Sequence, residues 1–249
     1  MEVLFLEALY TGTIELYMKT IQYLTEKKIK VVGLYASVQF VSKLETVKQQ
    51  LRELKIKVIT SKADRTHVAG QLLGCDNYHQ SLNLSKEEWS EVDAFLYIGD
   101  GKFHPLALAF AQMYFSEFKE IICNDPLQQK MDIISKDTIR TILQKHKSAL
   151  LKFLSSNKVG VIITLKPGQE QFTPSLQLEK KLPDKKFFYF VDDTVSFNQL
   201  ENFPFIEVWV NTACPRIGTD DHEQFRKGVL NLTDALQADK ILASLPSRR

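Results

Sequence analysis

The 249-residue sequence has no CxxC pair, no GxxxxGK[ST] loop, no GxGxxG fingerprint and no HExxH run. Those absences exclude a local zinc knuckle, a P-loop nucleotide site, a dinucleotide-binding turn and a zincin helix. Cysteine is scarce: there are three, an odd number, and the N-terminal run MEVLFLEALYTG lacks a basic n-region and a cleavage site. A disulfide framework is therefore not expected. No apolar stretch approaches the roughly 20 residues that span a bilayer. The net charge of +2 is too small for a nucleic-acid footprint. Low-complexity tracts are absent, and the Lys-rich pieces KKIK (27–30) and KKLPDKK (180–186) read as solvated faces. A cytoplasmic protein with no membrane or nucleic-acid partner is expected.

What is present is ordinary globular material, 44% hydrophobic and 25% charged, and enough of it to build one large or two modest cores. Short apolar runs alternate with helix-period stretches, the pattern of an α/β protein with mostly parallel sheets. Strands are predicted over 3–9, 30–37, 56–61, 93–100, 120–125, 158–165, 186–193 and 205–214. Helices are predicted over 14–28, 41–55, from Ser85, over 106–115, 173–182 and 195–203. The segment 126–156 carries no Gly and only its leading Pro, and reads as a helical bridge. The expected organisation is an α/β domain over 1–125 carrying Cys75, the bridge over 126–156, and an α/β domain over 157–249 carrying Cys214. Each domain is expected to be a small open sheet flanked by helices.

Chemistry concentrates in loops that follow predicted strands, where open α/β sheets bind ligands. Cys75 lies in GQLLGCDNY (70–78), and Cys214 in VNTACPRIGTDD (210–221). Cys123 ends the apolar run KEIICNDP (119–126) and is expected just past a strand. Three thiolates converging from separate loops would suit an iron–sulfur cluster, whereas three buried thiols are the plain alternative. GDGKFHP (99–105) offers two glycines and His104, or simply a turn into a helix with Pro at its start. His67, Cys75 and His79 could bind zinc by ligand chemistry alone. KPGQEQ (166–171) could turn backbone N–H groups toward an anion. Arg216 could grip a carboxylate while Asp220 and Asp221 hold an amine or cap a helix.

The ordered set VQF, GQLLGC, VDAFLYIGDGKFHP, ICNDP, TLKPGQEQF and VNTACPRIGTDD resembles the diphthamide-synthesis enzymes, the 2-(3-amino-3-carboxypropyl)histidine synthases, in their archaeal-type form. The resemblance implies a non-classical radical enzyme. A 4Fe–4S cluster and S-adenosylmethionine (SAM) would transfer a 3-amino-3-carboxypropyl group to a histidine of translation elongation factor 2. It also implies related α/β domains that each give one cysteine to the cluster. Cys75 and Cys214 match the cluster cysteines of the family's middle and last domains. Gln39, Arg216 and Asp220 fall in motifs lining the same pocket and are expected to help hold SAM. Two departures stand out. The family's first domain, with its own cysteine, has no counterpart in this sequence, and Phe40 replaces the histidine of the usual VQH motif. Cys123 is the internal candidate for a third ligand. A homodimer, or a heterodimer with a diphthamide-synthase subunit, would be another source. A non-catalytic accessory subunit, or a divergent paralogue that lacks its own cluster and acts through a partner, is the alternative function, and a zinc or cysteine hydrolase a more distant one.

Overall fold

The computed structural model describes residues 9–166, 169, 171–219 and 225–244. The chain divides into two compact units, Met1–Ile139 and Arg140–Arg249. In the first, β1 (Val31–Ala36), β2 (Lys57–Ile59), β3 (Ala94–Ile98), β4 (Ile121–Asp125) and β5 (Lys130–Ile134) form one sheet in the order β2-β1-β3-β4-β5. All neighbours are parallel except β5, which closes the edge antiparallel to β4. In the second, β6 (Lys158–Thr164), β7 (Lys186–Asp192), β8 (Val208–Asn211) and β9 (Val229–Asn231) pair in the order β7-β6-β8-β9, all parallel. The fold is α/β, with two open, mostly parallel sheets flanked by helices.

The continuous apolar strands follow from burial on both faces: every residue of β3 (AFLYI) is buried. The helices of the first unit are α1 (Met18–Glu26), α2 (Leu44–Glu53), α3 (Lys86–Glu91) and α4 (Pro105–Ala111). Helix α2 presents Leu44, Val47 and Leu51 at helical spacing to Val32, Leu34, Leu96 and Ile98 of the sheet. Each such side chain contributes about 1.5–3 kcal/mol by leaving water. Helix α3 starts with a capping box, the Ser85 side chain accepting from the Glu88 N–H and the Glu88 carboxylate from the Ser85 N–H.

The two units repeat one another in detail. In both, the first strand lies between the second and third. The third residue of β1, Gly33, sits in register with Phe95 of β3, and the third residue of β6, Gly160, sits in register with Trp209 of β8. The aromatic ring covers the glycine each time, so that a Cβ there would strike it. A carboxylate just ahead of the third strand ties down the start of the first. Asp93 accepts from the Lys30 and Val31 N–H groups at 2.8 and 2.9 Å. Glu207 accepts from those of Asn157 and Lys158 at 2.6 and 2.9 Å, and these bonds hold its carboxyl below the usual range.

Three expectations need correction. The stretch 126–156 is not one helical bridge. Residues 126–139 belong to the first unit and include β5, whose Ile133 and Ile134 pair with Ile122 and Ile121 of β4. The helical part is α5 (Arg140–Ser155), in the second unit, which buries His146, Ala149, Leu150 and Phe153. The helix predicted over 195–203 shrinks to Phe197–Leu200, and strand β9 was not predicted. The strand predicted over 3–9 lies outside the described residues except for Leu9.

Candidate functional site

In each sheet the chain order reverses beside the first strand, between β1 and β3 and between β6 and β8, and the carboxyl ends of such strand pairs frame ligand crevices. The loops that carry Gln39, His104 and Cys214 follow β1, β3 and β8 at these ends. Gln39 is exposed in the turn after β1, and its carbonyl accepts from the Tyr10 N–H at 2.9 Å. Phe40 is buried in the core and meets Tyr10 edge-on at 5.5 Å. At this position the chain has committed an aromatic to packing, so no ionisable ring is offered there.

The Cys75 loop extends the first sheet beyond β2. Gln71 bridges Ala36 in parallel, with the Ala36 N–H donating to Gly70 at 2.7 Å and the Leu72 N–H to Ala36 at 2.9 Å. Gly70 has φ +82° and packs on Leu44 and Thr60, a position that suits glycine. Beyond the bridge, the Asp76 carboxylate accepts from the Leu73 N–H at 2.9 Å and the Asp76 N–H returns to Leu73 O at 3.1 Å. Cys75 lies inside this closed turn, partly exposed. Asp76 is itself buried, and burial raises its carboxyl above the usual range against the Leu73 hydrogen bond. The loop after β3 reaches the same place, because the Phe103 ring packs on Gly74 within 2.6 Å of where a Cβ would stand. His104 precedes Pro105 at the start of α4 and stacks on Tyr97 at 6.5 Å.

Cys214 is held by a different device. Asn211, the last residue of β8, donates through Nδ2 to Cys214 O at 2.9 Å and to Asn231 Oδ1 at 2.8 Å. Its Oδ1 accepts from the Ala213 N–H at 3.1 Å, and Asn231 Nδ2 donates to Pro215 O at 2.8 Å. Gly218 makes room for this amide pair, since a Cβ there would strike the Asn231 side chain. The backbone around Cys214 is thus fixed from both sides while the thiol stays partly exposed. Arg216 follows in a short 3-10 turn and is only 3% exposed. Asp220 and Asp221 lie outside the described residues, as do Pro167, Gly168 and Glu170 of the KPGQEQ loop.

Cys123 is placed otherwise than expected. It is in the middle of β4, between Tyr97 of β3 and Asp132 of β5, and not in a loop after the strand. It is 6% exposed, and burial, with the Asp132 charge adding, pushes its thiol up to about 12. A thiolate is the metal ligand, so β4 holds this sulfur in the form least suited to iron. His79 packs on Phe115 at 5.4 Å and burial lowers its pKa. Among the described residues no three His, Cys, Asp or Glu side chains are grouped to hold a metal ion, and no helix is long and apolar enough to cross a membrane. Asp76 and Asn211 had no sequence signal beyond lying near a cysteine, and Asn231, far from any cysteine in the chain, had none.

Known proteins match most of the chain. A family model for diphthamide synthesis proteins matches residues 1–241. The 2-(3-amino-3-carboxypropyl)histidine synthase of Pyrococcus horikoshii is 31% identical over 195 residues, covering 77% of this chain and 52% of that protein. Subunit 1 of the human synthase is 27% identical over 210 residues, covering 83% of this chain and 44% of that protein. The chain spans about half the length of these relatives. A crystal structure of Dph2 from Pyrococcus horikoshii with a 4Fe–4S cluster superposes with a TM-score of 0.73 at 24% identity, over 97% of this chain and 66% of that one. The chain belongs to the diphthamide synthesis protein family.

Proposed function

We propose that this chain takes part in diphthamide biosynthesis by helping to transfer a 3-amino-3-carboxypropyl group from SAM to a histidine of translation elongation factor 2. The observation that carries the reading is the different treatment of the three thiols. Cys75 and Cys214 are each partly exposed on a braced turn beyond the carboxyl edge of a parallel sheet, while Cys123 is buried in a strand. Their donor chemistry suits iron, whose sulfide clusters are held by cysteine thiolates.

In this reading Cys75 and Cys214 hold a 4Fe–4S cluster, and the third thiolate comes from outside the described residues. Cys123, the internal candidate, would have to be drawn out of β4 and lose its proton. When bound, the cluster supplies the electron that opens a sulfur–carbon bond of SAM. The protein's part is to position: Gln39, in the turn after β1, and Arg216, near Cys214, would orient SAM, and Asp220 would help hold it. Arg216 suits the substrate carboxylate because its guanidinium forks onto two oxygens. The cytoplasm, where the elongation factor works, would be the place of action.

A second reading, an accessory subunit that lacks a complete cluster of its own, draws support from Phe40, whose ring belongs to the core where the family motif carries histidine. Anaerobic reconstitution with iron and sulfide, followed by EPR of the dithionite-reduced protein, separates the two. A 4Fe–4S signal lost in both Cys75→Ala and Cys214→Ala supports the first. A protein that takes up no iron alone, but does so with a diphthamide-synthase subunit, supports the second. No iron under either condition would overturn both.

A further inference from the structure

Gly74, next to Cys75, is not held to glycine by its backbone, because it does not have a positive φ. What the missing side chain admits is the ring of Phe103. A Cβ on Gly74 would stand 2.6 Å from Cε1 and 3.0 Å from Cζ of that ring. Phe103 is 55% exposed, although an aromatic side chain gains most by burial. Its place is nevertheless fixed. The Leu106 N–H donates to Lys102 O at 3.1 Å and the Ala107 N–H to His104 O at 2.9 Å, so the residues on both sides of it are tied into the start of α4. His104 meets the Phe103 ring edge-on at 5.2 Å and stacks in turn on Tyr97, which is fully buried. At the tip of the loop Gly101 has φ +61° with no atom within 4 Å of a Cβ, a bend that glycine makes without strain.

We propose that Phe103 is the cover of Cys75: its ring lies over the turn beside the thiol, admits small molecules to the sulfur and holds off bulky ones. The internal repeat supports this. The loop after the third strand carries Cys214 in the second unit. In the first unit the loop after β3 carries no thiol, and lays an apolar ring beside the thiol of the neighbouring loop instead. A metal site is tuned by its apolar shell as well as by its ligands, since the shell sets solvent access and local dielectric. Phe103 has no polar atom in its side chain, so shielding is what it can contribute. The ring's effect on access is a property of the chain alone, whereas its effect on iron rests on the proposed role of Cys75 as a cluster ligand.

Thiol labelling of the full iron-free chain tests the cover. Cys75 is labelled with a small methanethiosulfonate and with fluorescein maleimide, and the ratio of the two rates, read by peptide mass spectrometry, cancels any change in thiol ionisation. Phe103→Ala should raise the bulky-to-small ratio at Cys75 about tenfold, the lower end of what outer-shell changes do at metal sites, and leave the ratio at Cys214 unchanged. Gly74→Ala, whose methyl would displace the ring, should raise it as well. Phe103→Leu keeps an apolar cover and should stay near the parent. The ring is half exposed, so the urea midpoint of Phe103→Ala should stay close to the parent value. In the reconstituted protein, release of iron to the ferrous chelator bathophenanthroline should quicken about tenfold in Phe103→Ala and not in Phe103→Leu. An unchanged ratio at Cys75 in Phe103→Ala overturns the cover. So does an equal rise at Cys214, which would be a loosening of the whole fold, or iron release at the parent rate. A parent chain that takes up no iron under any condition, with the Cys75 ratio raised in Phe103→Ala, supports the cover and counts against the cluster instead.

Discussion

Asn211 Nδ2 lies 2.8 Å from Asn231 Oδ1, joining the ends of neighbouring strands β8 and β9 beneath the Cys214 turn. Both residues are buried, at 1% and 4% exposure. Each also holds a backbone carbonyl of the turn, at Cys214 and Pro215. Removing one amide leaves its partner's polar atom and a carbonyl without their bonds in a dry place, which costs about 1–3 kcal/mol. Asn231→Ala and Asn211→Ala should each lower the urea midpoint accordingly. The double variant should cost less than the two added together, because the shared hydrogen bond is lost only once. Strict additivity would mean that the amides act separately.

The burial of Cys123 can be read by chemical modification. A thiol pushed up to about 12 is deprotonated in roughly one molecule in ten thousand at pH 8. Iodoacetamide at pH 8 should therefore label Cys75 and Cys214 in the folded, iron-free protein long before Cys123, as followed by peptide mass spectrometry. Because the folded pKa is raised, Cys123 labelling should climb about tenfold per pH unit for as long as the fold survives. Cys123→Ala should leave iron uptake unchanged. Labelling of all three at one rate would place Cys123 outside the sheet.

Much of the fold could be read from apolar patterning. Strands such as AFLYI and KVGVIIT are unbroken because both faces are covered, and the Ser85 capping box announces its helix. The pattern failed where the chain is brief or carries a mixed signal. Strand β9 has three residues, too few to show a period. Strand β5 lies on an edge, and its half-exposed KMDII looks as helical as the neighbouring α5 sequence. The turns that carry Cys75 and Cys214 were legible because each is marked by Gly or Pro. Cys123 misled because an apolar run ending in Cys-Asn-Asp looks like a strand end. In the structure Cys123 is inside β4, as the strand range 120–125 implies, with Asn124 buried and its Oδ1 accepting from Tyr17 N at 2.8 Å and Thr20 Oγ1 at 2.8 Å. The bonds that tie Asn231 to Asn211 and to the Pro215 carbonyl span 20 and 16 residues, and no local pattern encodes those.

The internal repeat makes its own forecast. Gly33 and Gly160 hold equivalent places under Phe95 and Trp209. A methyl group at either must displace a ring that is fully buried, as Phe95 and Trp209 are. Overpacking of this kind costs about 1–3 kcal/mol. Gly33→Ala and Gly160→Ala should each destabilise their unit by that amount in urea unfolding. Gly101→Ala is the contrast: φ there is +61°, but no atom lies within 4 Å of the new methyl, so only the backbone cost of about 1 kcal/mol applies. Equal losses at all three positions would deny the ring contacts any part.

Acid should act on the second unit through His146. The ring is buried in α5, with Nε2 at 3.9 Å from Asp234 Oδ2. Burial lowers its pKa below the ordinary 6.5, against the pull of the Asp234 charge. Below pH 6.5 the unfolded chain therefore binds a proton that the folded chain refuses. This part of the stability is complete above pH 6.5 and drains away as the pH falls from 6.5 toward the folded pKa. The slope can approach, but not exceed, about 1.4 kcal/mol per pH unit for one site. Urea midpoints measured from pH 7.5 to 5.5 should fall for the parent chain and fall less steeply for His146→Gln, whose side chain takes up no proton. Identical slopes would mean that His146 binds its proton equally well in both states, and that burial does not set its titration.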